Sequence, residues 1–190
     1  MNILLLGSNG QVGTALHPLL KGRRNLTAAT RQEADFEKLD QLALCVRYAK
    51  PDIVINAAAY TAVDRAESEP DLAYLINAAA PELLAIEAEK LGAALIHFST
   101  DYVFEGRGET PWSETDNPKP LSVYGKAKLE GEQKVLQACA RAFILRTSWV
   151  YSAGGHNFLK AILRAAQARE TLEVVDDQVG SPTGADLVAA

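Results

Sequence analysis

Tyr124 and Lys128 place a phenol and an ammonium four residues apart, and the surrounding sequence predicts a helix on which both share one face. A nearby cation stabilises a phenolate and lowers the pKa of a tyrosine from its usual value of about 10. Tyr124 is therefore a candidate general acid toward a carbonyl group that is being reduced, and Lys128 a candidate ligand of cofactor ribose hydroxyls. The alternative is an ordinary surface helix, on which this spacing is common.

Hydroxyl and acidic side chains cluster in the segment Ser99–Phe104, at the end of a predicted strand. Thr100 at the carboxyl end of that strand is a candidate hydrogen-bond donor to the substrate carbonyl, where it would help to polarise the C=O bond. The alternative is that Thr100 and Asp101 cap the following turn.

Three glycines, Gly7, Gly10 and Gly13, lie between the first predicted strand and the first predicted helix. In that position glycines allow a tight turn, close approach of the backbone to a pyrophosphate, and close packing of helix on strand. The helix N-terminus then offers free N–H groups and the positive end of its dipole to the phosphates. This setting predicts a dinucleotide site, and a simple turn is the alternative.

Arg31 follows the second predicted strand, where NAD-binding folds of this kind use an acidic residue for the ribose hydroxyls. A guanidinium suits a 2′-phosphate instead, because it can hold the phosphate by forked, charge-assisted hydrogen bonds. NADPH is therefore the predicted cofactor, with NADH as a second candidate and a solvent-exposed arginine as the alternative. Asp35 and Phe36 are candidate neighbours of the adenine, unless they form a turn and a core aromatic.

Short apolar runs alternate with longer helical segments, a pattern typical of βαβ units and of a parallel sheet covered on both faces. We therefore predict an α/β fold with a Rossmann-type, doubly wound parallel sheet. The predicted strands are Asn2–Leu6, Leu26–Thr30, Ile53–Asn56, Ala94–Ser99 and Phe143–Thr147. The predicted helices are Gln11–Leu20, Glu37–Ala49, Asp71–Leu91, Tyr124–Cys139 and Asn157–Arg169.

The stretch Gly106–Pro120 predicts a long loop beyond the fourth strand, because its glycines, prolines and polar residues cannot continue a strand or a helix. Residues 1–150 are predicted to form an NADP(H)-binding domain, and residues 151–190 the start of a substrate-binding region. The chain stops at Asp186–Ala190 in what looks like the start of a helix. We therefore expect a truncated sequence in which the C-terminal substrate-binding region is largely missing.

The composition disfavours several classes of function. With 190 residues and 48% hydrophobic content the chain can bury a full core, and its net charge of −5 without a polybasic stretch disfavours nucleic acid as a partner. No segment approaches the roughly 18–20 apolar residues that span a bilayer, and the first residues lack the positive charge of a signal peptide. The expected location is cytoplasmic, with no membrane partner. The two cysteines and three histidines lack the spacing of a zinc site, so no metal site is predicted.

Four motifs together resemble the extended short-chain dehydrogenases/reductases, and among these the dTDP-4-dehydrorhamnose reductases. They are Ser99–Phe104, Val123–Lys128, Arg146–Tyr151 and Asp177–Thr183, and the resemblance covers essentially the whole chain. It implies NADPH-dependent reduction of the C4 ketone of dTDP-4-dehydro-L-rhamnose to dTDP-L-rhamnose, for bacterial surface polysaccharide. A dTDP-sugar is the implied partner, while a homodimer and a divalent ion remain open.

The resemblance also implies roles for single residues. The catalytic positions fall on Thr100, Tyr124 and Lys128. The cofactor positions fall on Gly10, Gln11 and Val12 of the phosphate loop and on Ala59, Tyr60 and Thr61 after the third strand. The substrate positions fall on Val63, Thr100, Asp101 and Trp149, and the indole of Trp149 would suit a sugar ring or a base, with core packing as the alternative.

Rival functions share parts of this pattern. A sugar-nucleotide 4,6-dehydratase would carry Glu after the Thr-Asp pair, where this chain has Tyr102. A sugar-nucleotide 4-epimerase would use the same tyrosine with bound NAD, which Arg31 disfavours. A non-catalytic NADP-binding regulatory subunit, as in methionine adenosyltransferase, would keep the glycine loop without turnover. The joint presence of Thr100, Tyr124 and Lys128 favours the enzyme.

Overall fold

Five parallel strands form the central sheet of the computed structural model, which describes residues 1–22, 25–108 and 110–190. Their order across the sheet is β2-β1-β3-β4-β5. The strands are β1 (Asn2–Leu6), β2 (Asn25–Ala29), β3 (Ile53–Asn56), β4 (Ala94–Thr100) and β5 (Ala142–Thr147). The prediction of a Rossmann-type, doubly wound parallel sheet is confirmed.

Helices connect the strands and cover both faces of the sheet, as crossovers between parallel strands require. The longer helices are α1 (Gln11–Leu20), α2 (Leu39–Ala49), α5 (Ala80–Leu91), α6 (Val123–Ala138) and α7 (Phe158–Ala168). The shorter ones are α3 (Val63–Ala66), α4 (Pro70–Tyr74) and α8 (Ala185–Ala189), with a π-helical segment at Leu75–Ala79 and a 3₁₀ turn at Asp101–Val103. Two short strands, β6 (Val150–Tyr151) and β7 (Thr183–Gly184), pair in parallel outside the main sheet.

Buried apolar side chains lie on both faces of β1, which explains why the sequence of this strand is apolar without interruption. Leu4 and Leu6 face one cluster of buried side chains, and Ile3 and Leu5 face the other. A central parallel strand has helices on both sides, so alternation with polar residues would bury polar groups without partners. The run of leucines therefore belongs to the middle of the sheet.

The structure changes several predicted boundaries. The predicted helix Asp71–Leu91 begins at Pro70 and contains the π-helical segment, a feature that hydrophobic periodicity does not reveal. The helix α3 and the small β6–β7 sheet were not predicted, because elements of two to four residues carry too little periodicity to detect. Within 106–120 the described residues form neither helix nor strand, as predicted, and Glu109 lies outside the described residues.

Strand order decides where a ligand crevice can form. The chain moves from β1 outward to β2, then crosses to the other side of β1 to form β3, so the connections after β1 and β3 diverge at this edge. In doubly wound sheets ligands bind at such a switch point, outside the carboxyl ends of the strands. The glycine loop after β1 and Thr100 at the end of β4 open onto this same edge.

No helix in the part of the chain that the structure describes is long and apolar enough to cross a membrane.

Candidate active site

The 3₁₀ turn after β4 holds Thr100 beside the first turn of α6. The hydroxyl of Thr100 accepts a hydrogen bond from the Tyr102 N–H over 3.1 Å and donates one to Oδ1 of Asp101 over 3.2 Å. Thr100 therefore caps this turn, as the alternative interpretation predicts, and its role toward a substrate stays a prediction. The Tyr124 ring packs edge-on against the Tyr102 ring, with 5.6 Å between the centroids. Thr100 and Tyr124 are both buried, with 6% and 8% of their surface exposed.

Gly125 explains how α6 can approach the turn so closely. A Cβ atom at this position would lie 2.3 Å from the carbonyl oxygen of Tyr102, which no side chain could tolerate. The helix begins at its N-cap Ser122, whose hydroxyl accepts a hydrogen bond from the Gly125 N–H over 3.0 Å. The glycine and the cap together bring the Tyr124 phenol to the end of β4.

The pKa of the Tyr124 phenol differs from the one predicted from the sequence. Burial raises its pKa to about 12, with smaller contributions from Asp101 and Tyr102 in the same direction, while hydrogen bonding to Thr100 lowers it. The Lys128 ammonium does not contribute to this shift. The pKa is therefore raised, not lowered as expected, because the phenol is buried and the lysine is directed elsewhere. At neutral pH the phenol keeps its proton and can act as a proton donor.

Lys128 lies inside the protein, with 2% of its surface exposed. Its Nζ donates a hydrogen bond to the carbonyl oxygen of Phe98 over 2.7 Å and lies 3.3 Å from Nε2 of His97. Burial lowers the pKa of Lys128 to about 8, and the Glu132 carboxylate one helical turn away acts in the opposite direction. The shared helix face that the four-residue spacing predicts is present, but the partners of Lys128 come from β4.

The glycine loop is packed so tightly that side chains are excluded at two positions. Gly7 has a φ of +72°, and a Cβ there would lie 2.7 Å from the Ala58 backbone nitrogen. A Cβ on Gly13 would lie 2.2 Å from the carbonyl oxygen of Gly7. These contacts place the start of α1 directly against the end of β1, as the glycine pattern predicts.

The N-terminus of α1 fits a pyrophosphate group. Its N-cap residue is Gly10, no described side chain caps it, and its first turn contains no acidic residue. The first N–H groups of a helix have no partner within the helix, so those of Gln11, Val12 and Gly13 remain available to an anion. Gly10 itself is exposed at this edge of the sheet.

The side chain of Gln11 is held by the segment that follows β6. Its Oε1 accepts hydrogen bonds from Ser152 Oγ and Asn157 Nδ2, each over 3.0 Å, and its Nε2 donates to the Val150 carbonyl oxygen over 3.2 Å. The carboxamide oxygen of Gln11 and one of its two N–H donors are therefore engaged, and its backbone N–H lies in the first turn of α1. This contact joins the phosphate loop to residues 150–157, which the sequence did not suggest.

Among the candidate residues for the adenine site after β2, Phe36 lies in the core. Phe36 is a core side chain in the same cluster as Leu42, so the structure favours the alternative of a turn plus a core aromatic. Arg31 is 72% exposed and forms ion pairs with Glu37 and Asp35. Asp35 also accepts a hydrogen bond from the Glu37 N–H over 3.1 Å, which stabilises the turn. Arg31 is thus in place beyond β2, but a 2′-phosphate would have to compete with two carboxylates for it.

The residues after β3 form the wall between the glycine loop and α6. Asn77 of the π-helical segment accepts a hydrogen bond from the Tyr60 N–H over 3.0 Å and donates one to the Tyr60 carbonyl oxygen over 2.9 Å. Ala59 and Thr61 on either side are exposed, and Val63 packs beside Tyr124 in one apolar cluster. The sequence did not reveal Asn77, since a single asparagine in a helical segment carries no distinctive pattern.

Asp101 and Trp149 lie on the side of the crevice formed by the end of β5. Oδ2 of Asp101 accepts a hydrogen bond from Ser148 Oγ over 2.6 Å. Trp149 has a φ of +45°, which is rare for an aromatic residue and costs on the order of 1–3 kcal/mol. A Cβ on Gly180 would lie 2.5 Å from the indole, so the glycine of the last motif packs against this ring. The ring is 40% exposed, which argues against the core-packing alternative.

Within residues 1–22, 25–108 and 110–190 no group of three His, Cys, Asp or Glu side chains is arranged to hold a metal ion.

Known proteins of one family are similar to this chain over its whole length. The family model described as RmlD substrate binding domain matches residues 1–190. A dTDP-4-dehydrorhamnose reductase of Escherichia coli (strain K12) is 52% identical over 193 residues, which cover 100% of this chain and 64% of that protein. The chain therefore spans about 64% of the length of this relative and of two further curated relatives with the same name.

Two solved structures have the same fold over nearly all of the chain. A dTDP-4-dehydrorhamnose reductase from Clostridium acetobutylicum ATCC 824 superposes with a TM-score of 0.94 at 41% identity, covering 100% of this chain and 68% of that one. A dTDP-4-dehydrorhamnose reductase from Bacillus anthracis str. Ames, solved in complex with NADP, superposes with a TM-score of 0.91 at 40% identity. It covers 96% of this chain and 66% of that one.

Proposed function

The chain belongs to the RmlD substrate binding domain family, and on this premise we propose that the protein containing it is an NADPH-dependent dTDP-4-dehydrorhamnose reductase. The reaction is reduction of the C4 ketone of dTDP-4-dehydro-L-rhamnose to the alcohol of dTDP-L-rhamnose. The relatives that support this proposal carry that name, and one of their solved structures contains NADP.

One observation carries the proposal: a buried hydroxyl and a buried phenol lie close together at the edge of the sheet where the glycine loop opens, and a buried lysine lies one turn further along the same helix. Thr100 ends β4, and Tyr124 and Lys128 lie on the helix packed against it. Only β3 separates β4 from β1, so the glycine loop after β1 and Thr100 at the end of β4 lie about two strand spacings apart, roughly 10 Å. A single extended dinucleotide can reach both.

The cofactor is assigned to residues along this edge. The backbone N–H groups of the first turn of α1 would hold the pyrophosphate, and Arg31 would hold the 2′-phosphate after leaving its carboxylate partners. Ala59, Tyr60 and Thr61 would line the path between them and α6. NADPH, when bound, supplies a hydride to the ketone carbon. NADH remains a second candidate.

The chain's own residues supply the proton that balances the reduction. The O–H bond of Tyr124 breaks, its proton moves to the substrate C4 oxygen, and a phenolate remains. A pKa raised to about 12 by burial keeps this proton in place until the oxygen becomes basic. Thr100 would turn its hydroxyl from Asp101 to the same oxygen and stabilise the charge that develops there. Val63, Asp101 and Trp149 are the proposed substrate contacts.

The test is the substitution Tyr124→Phe in the protein that contains this chain, assayed by NADPH oxidation with dTDP-4-dehydro-L-rhamnose. Loss of the general acid should lower kcat/KM by about 10²- to 10⁴-fold, while NADPH affinity stays unchanged. The matched control is Tyr48→Phe, the same chemical change at an exposed position on α2. Reduction at the parental rate by Tyr124→Phe would refute the proposed proton donor. Tight NADPH binding without turnover by the parent would favour a regulatory NADP-binding subunit instead.

The proposal includes a division of the chain. Residues 1–150 would form the NADP(H)-binding domain and residues 151–190 the start of the substrate-binding region. In support of this division, α7 has no buried residue, and Phe158 and Leu163 are exposed on it. A cytoplasmic location and a homodimer stay predictions.

A further inference from the structure

Asn56, His97 and Lys128 form a buried chain of polar contacts behind the proposed active site. They lie on β3, β4 and α6, and each has at most 2% of its surface exposed. Asn56 and His97 are direct neighbours in the register between β3 and β4. Asn56 Nδ2 lies 2.9 Å from His97 Nδ1, and His97 Nε2 lies 3.3 Å from Lys128 Nζ.

The orientation of the Asn56 carboxamide follows from the backbone. The Ala58 N–H, which can only donate, lies 3.1 Å from Oδ1 of Asn56. The atom facing Ala58 must therefore be the carboxamide oxygen. The other end, the NH₂ group, then faces His97 and can only donate to it.

The carboxamide in turn selects the tautomer of His97. Because Asn56 donates to Nδ1, that nitrogen must be the acceptor, and a neutral imidazole then carries its proton on Nε2. Burial and then the charge of Lys128 hold the pKa of His97 well below its ordinary value, which keeps the ring neutral. The Nε2–H bond is thus aimed at Lys128.

An ammonium has three donors and no acceptor, so an N–H directed at it opposes the charged form, whereas a neutral amine can accept this hydrogen bond. We propose that Asn56 and His97 are positioning residues that set the protonation state of Lys128, because the Nε2–H of His97 stabilises its amine over its ammonium. One amine N–H remains bonded to the Phe98 carbonyl oxygen, and the other is free for a ligand.

Other groups around Lys128 act in defined directions. Burial is the largest influence and lowers the pKa of Lys128 to about 8, and Glu132 on the same helix raises it. Glu132 is held by Arg146 of β5 through two hydrogen bonds of 3.0 and 2.6 Å. Tyr124, one turn away toward the N-terminus, is neutral at a pH near 8, because its pKa is raised to about 12. Further carboxylates on the elements packed against α6 are engaged elsewhere: Asp101 with Ser148, Glu67 with the Val123 N–H, and Glu82 with Lys134.

The consequence for catalysis rests on the proposed function. The ammonium form of Lys128 would be stabilised by acceptors that a bound cofactor brings, such as ribose hydroxyls. Cofactor binding should therefore be accompanied by uptake of a proton at Lys128. In the cofactor-free protein the fraction of ammonium should fall as the pH rises through about 8. In the cofactor complex this midpoint, and with it the fall in the rate of reduction, should lie at a higher pH.

The first test determines the tautomer in the parent protein, and a variant serves only to assign the signals. Long-range ¹H–¹⁵N correlation spectra of the ¹⁵N-labelled protein distinguish a protonated from a bare imidazole nitrogen, and the His97 signals are those missing in a His97→Gln sample. A fixed tautomer with the proton on Nε2 is expected for His97. A proton on Nδ1 would overturn the proposal, because Nε2 would then accept from the ammonium.

The second test measures the titration of Lys128 by NMR of its Cε and Nζ nuclei, assigned with Lys128→Met. In His97→Gln the carboxamide can present an oxygen to Lys128, so an acceptor replaces the donor. The titration midpoint should move upward by about one pH unit, a tenfold gain in proton affinity. The matched control is His156→Gln, the same change at an exposed residue, which should leave the midpoint unchanged. An unchanged or lower midpoint in His97→Gln would overturn the proposal.

These two NMR measurements test the network of Asn56, His97 and Lys128 independently of the proposed function, since neither uses substrate or turnover. If both NMR results are as expected and the keto sugar is not reduced, the proposed function fails and the network stands. If the sugar is reduced and the tautomer is reversed, the network fails alone. In an active enzyme, His97→Gln should also extend the pH–rate plateau to higher pH, an effect that a merely structural role would not produce.

Discussion

Gly13→Ala is the perturbation whose effect can be worked out most directly from the structure. The added Cβ would lie 2.2 Å from the Gly7 carbonyl oxygen, 2.8 Å from the Ser8 Cα and 2.9 Å from the Gly7 carbonyl carbon. All three atoms belong to the backbone, so no side chain can rotate away. The same Gly7 oxygen accepts the hydrogen bond from the Gly10 N–H that closes the loop. Relief of the contact must therefore move the start of α1 away from the loop.

The size of the effect follows from this geometry. The shortest contact is more than 1 Å closer than ordinary van der Waals contact. Overpacking of this kind costs about 1–3 kcal/mol, against which alanine recovers at most about 1 kcal/mol of helix propensity. The helix N-terminus is also the proposed pyrophosphate site, so its displacement should weaken NADPH binding at least tenfold, or about 1.4 kcal/mol.

The assay is urea denaturation together with NADPH titration of the protein that contains this chain. Gly154→Ala is the matched control, because a Cβ there meets nothing within 4 Å and its φ is not in the left-handed region. It should change the free energy of unfolding by less than about 0.5 kcal/mol and leave the NADPH affinity unchanged. If Gly13→Ala binds NADPH as tightly as the parent, the assignment of this loop to the phosphates is refuted.

Two further predictions concern buried carboxylates. Glu132→Gln should lower the free energy of unfolding by about 3 kcal/mol, because Arg146 loses the carboxylate that it contacts through two nitrogens. The control Glu130→Gln, at a partly exposed pair, should cost less than about 1 kcal/mol, and equal losses in urea denaturation would contradict the argument. Hydrogen bonding to Arg47 lowers the pKa of buried Glu87 from 4.5 to about 2, so its contribution to stability is present above 4.5 and lost as the pH falls toward 2. Glu87→Gln should remove this part of the acid dependence in denaturation curves at a series of pH values, and parallel pH dependences of parent and variant would count against it.

The sequence alone was sufficient for the architecture, and it supplied the candidate residues of the proposed site. Alternation of short apolar runs with helical segments is a local property, and it predicted all five strands of the sheet to within about one residue at each end. The glycines could be interpreted because their role is steric: a missing Cβ at Gly7 and Gly13 has a meaning wherever a strand meets a helix. The Tyr124 and Lys128 spacing was equally informative, since helix geometry alone places both on one face.

The properties that depend on distant neighbours could not be predicted in this way. Whether a group is buried, and which strand lies behind it, is decided by packing between residues far apart in the chain. The sequence therefore predicted a lowered pKa for Tyr124, whereas burial raises it, and it treated His97 as a dispersed histidine. It also left open whether Phe36 borders the adenine or belongs to the core, and the structure places the ring in the core.

The difference between what the sequence predicted and what only the tertiary structure decided has one physical cause. Backbone sterics and hydrophobic periodicity act over a few residues, so residue types and spacing determine the elements and the order in which they follow one another. Desolvation and hydrogen-bond direction are set where several elements meet, and there the tertiary structure decided which atoms face Lys128 and how strongly Tyr124 holds its proton.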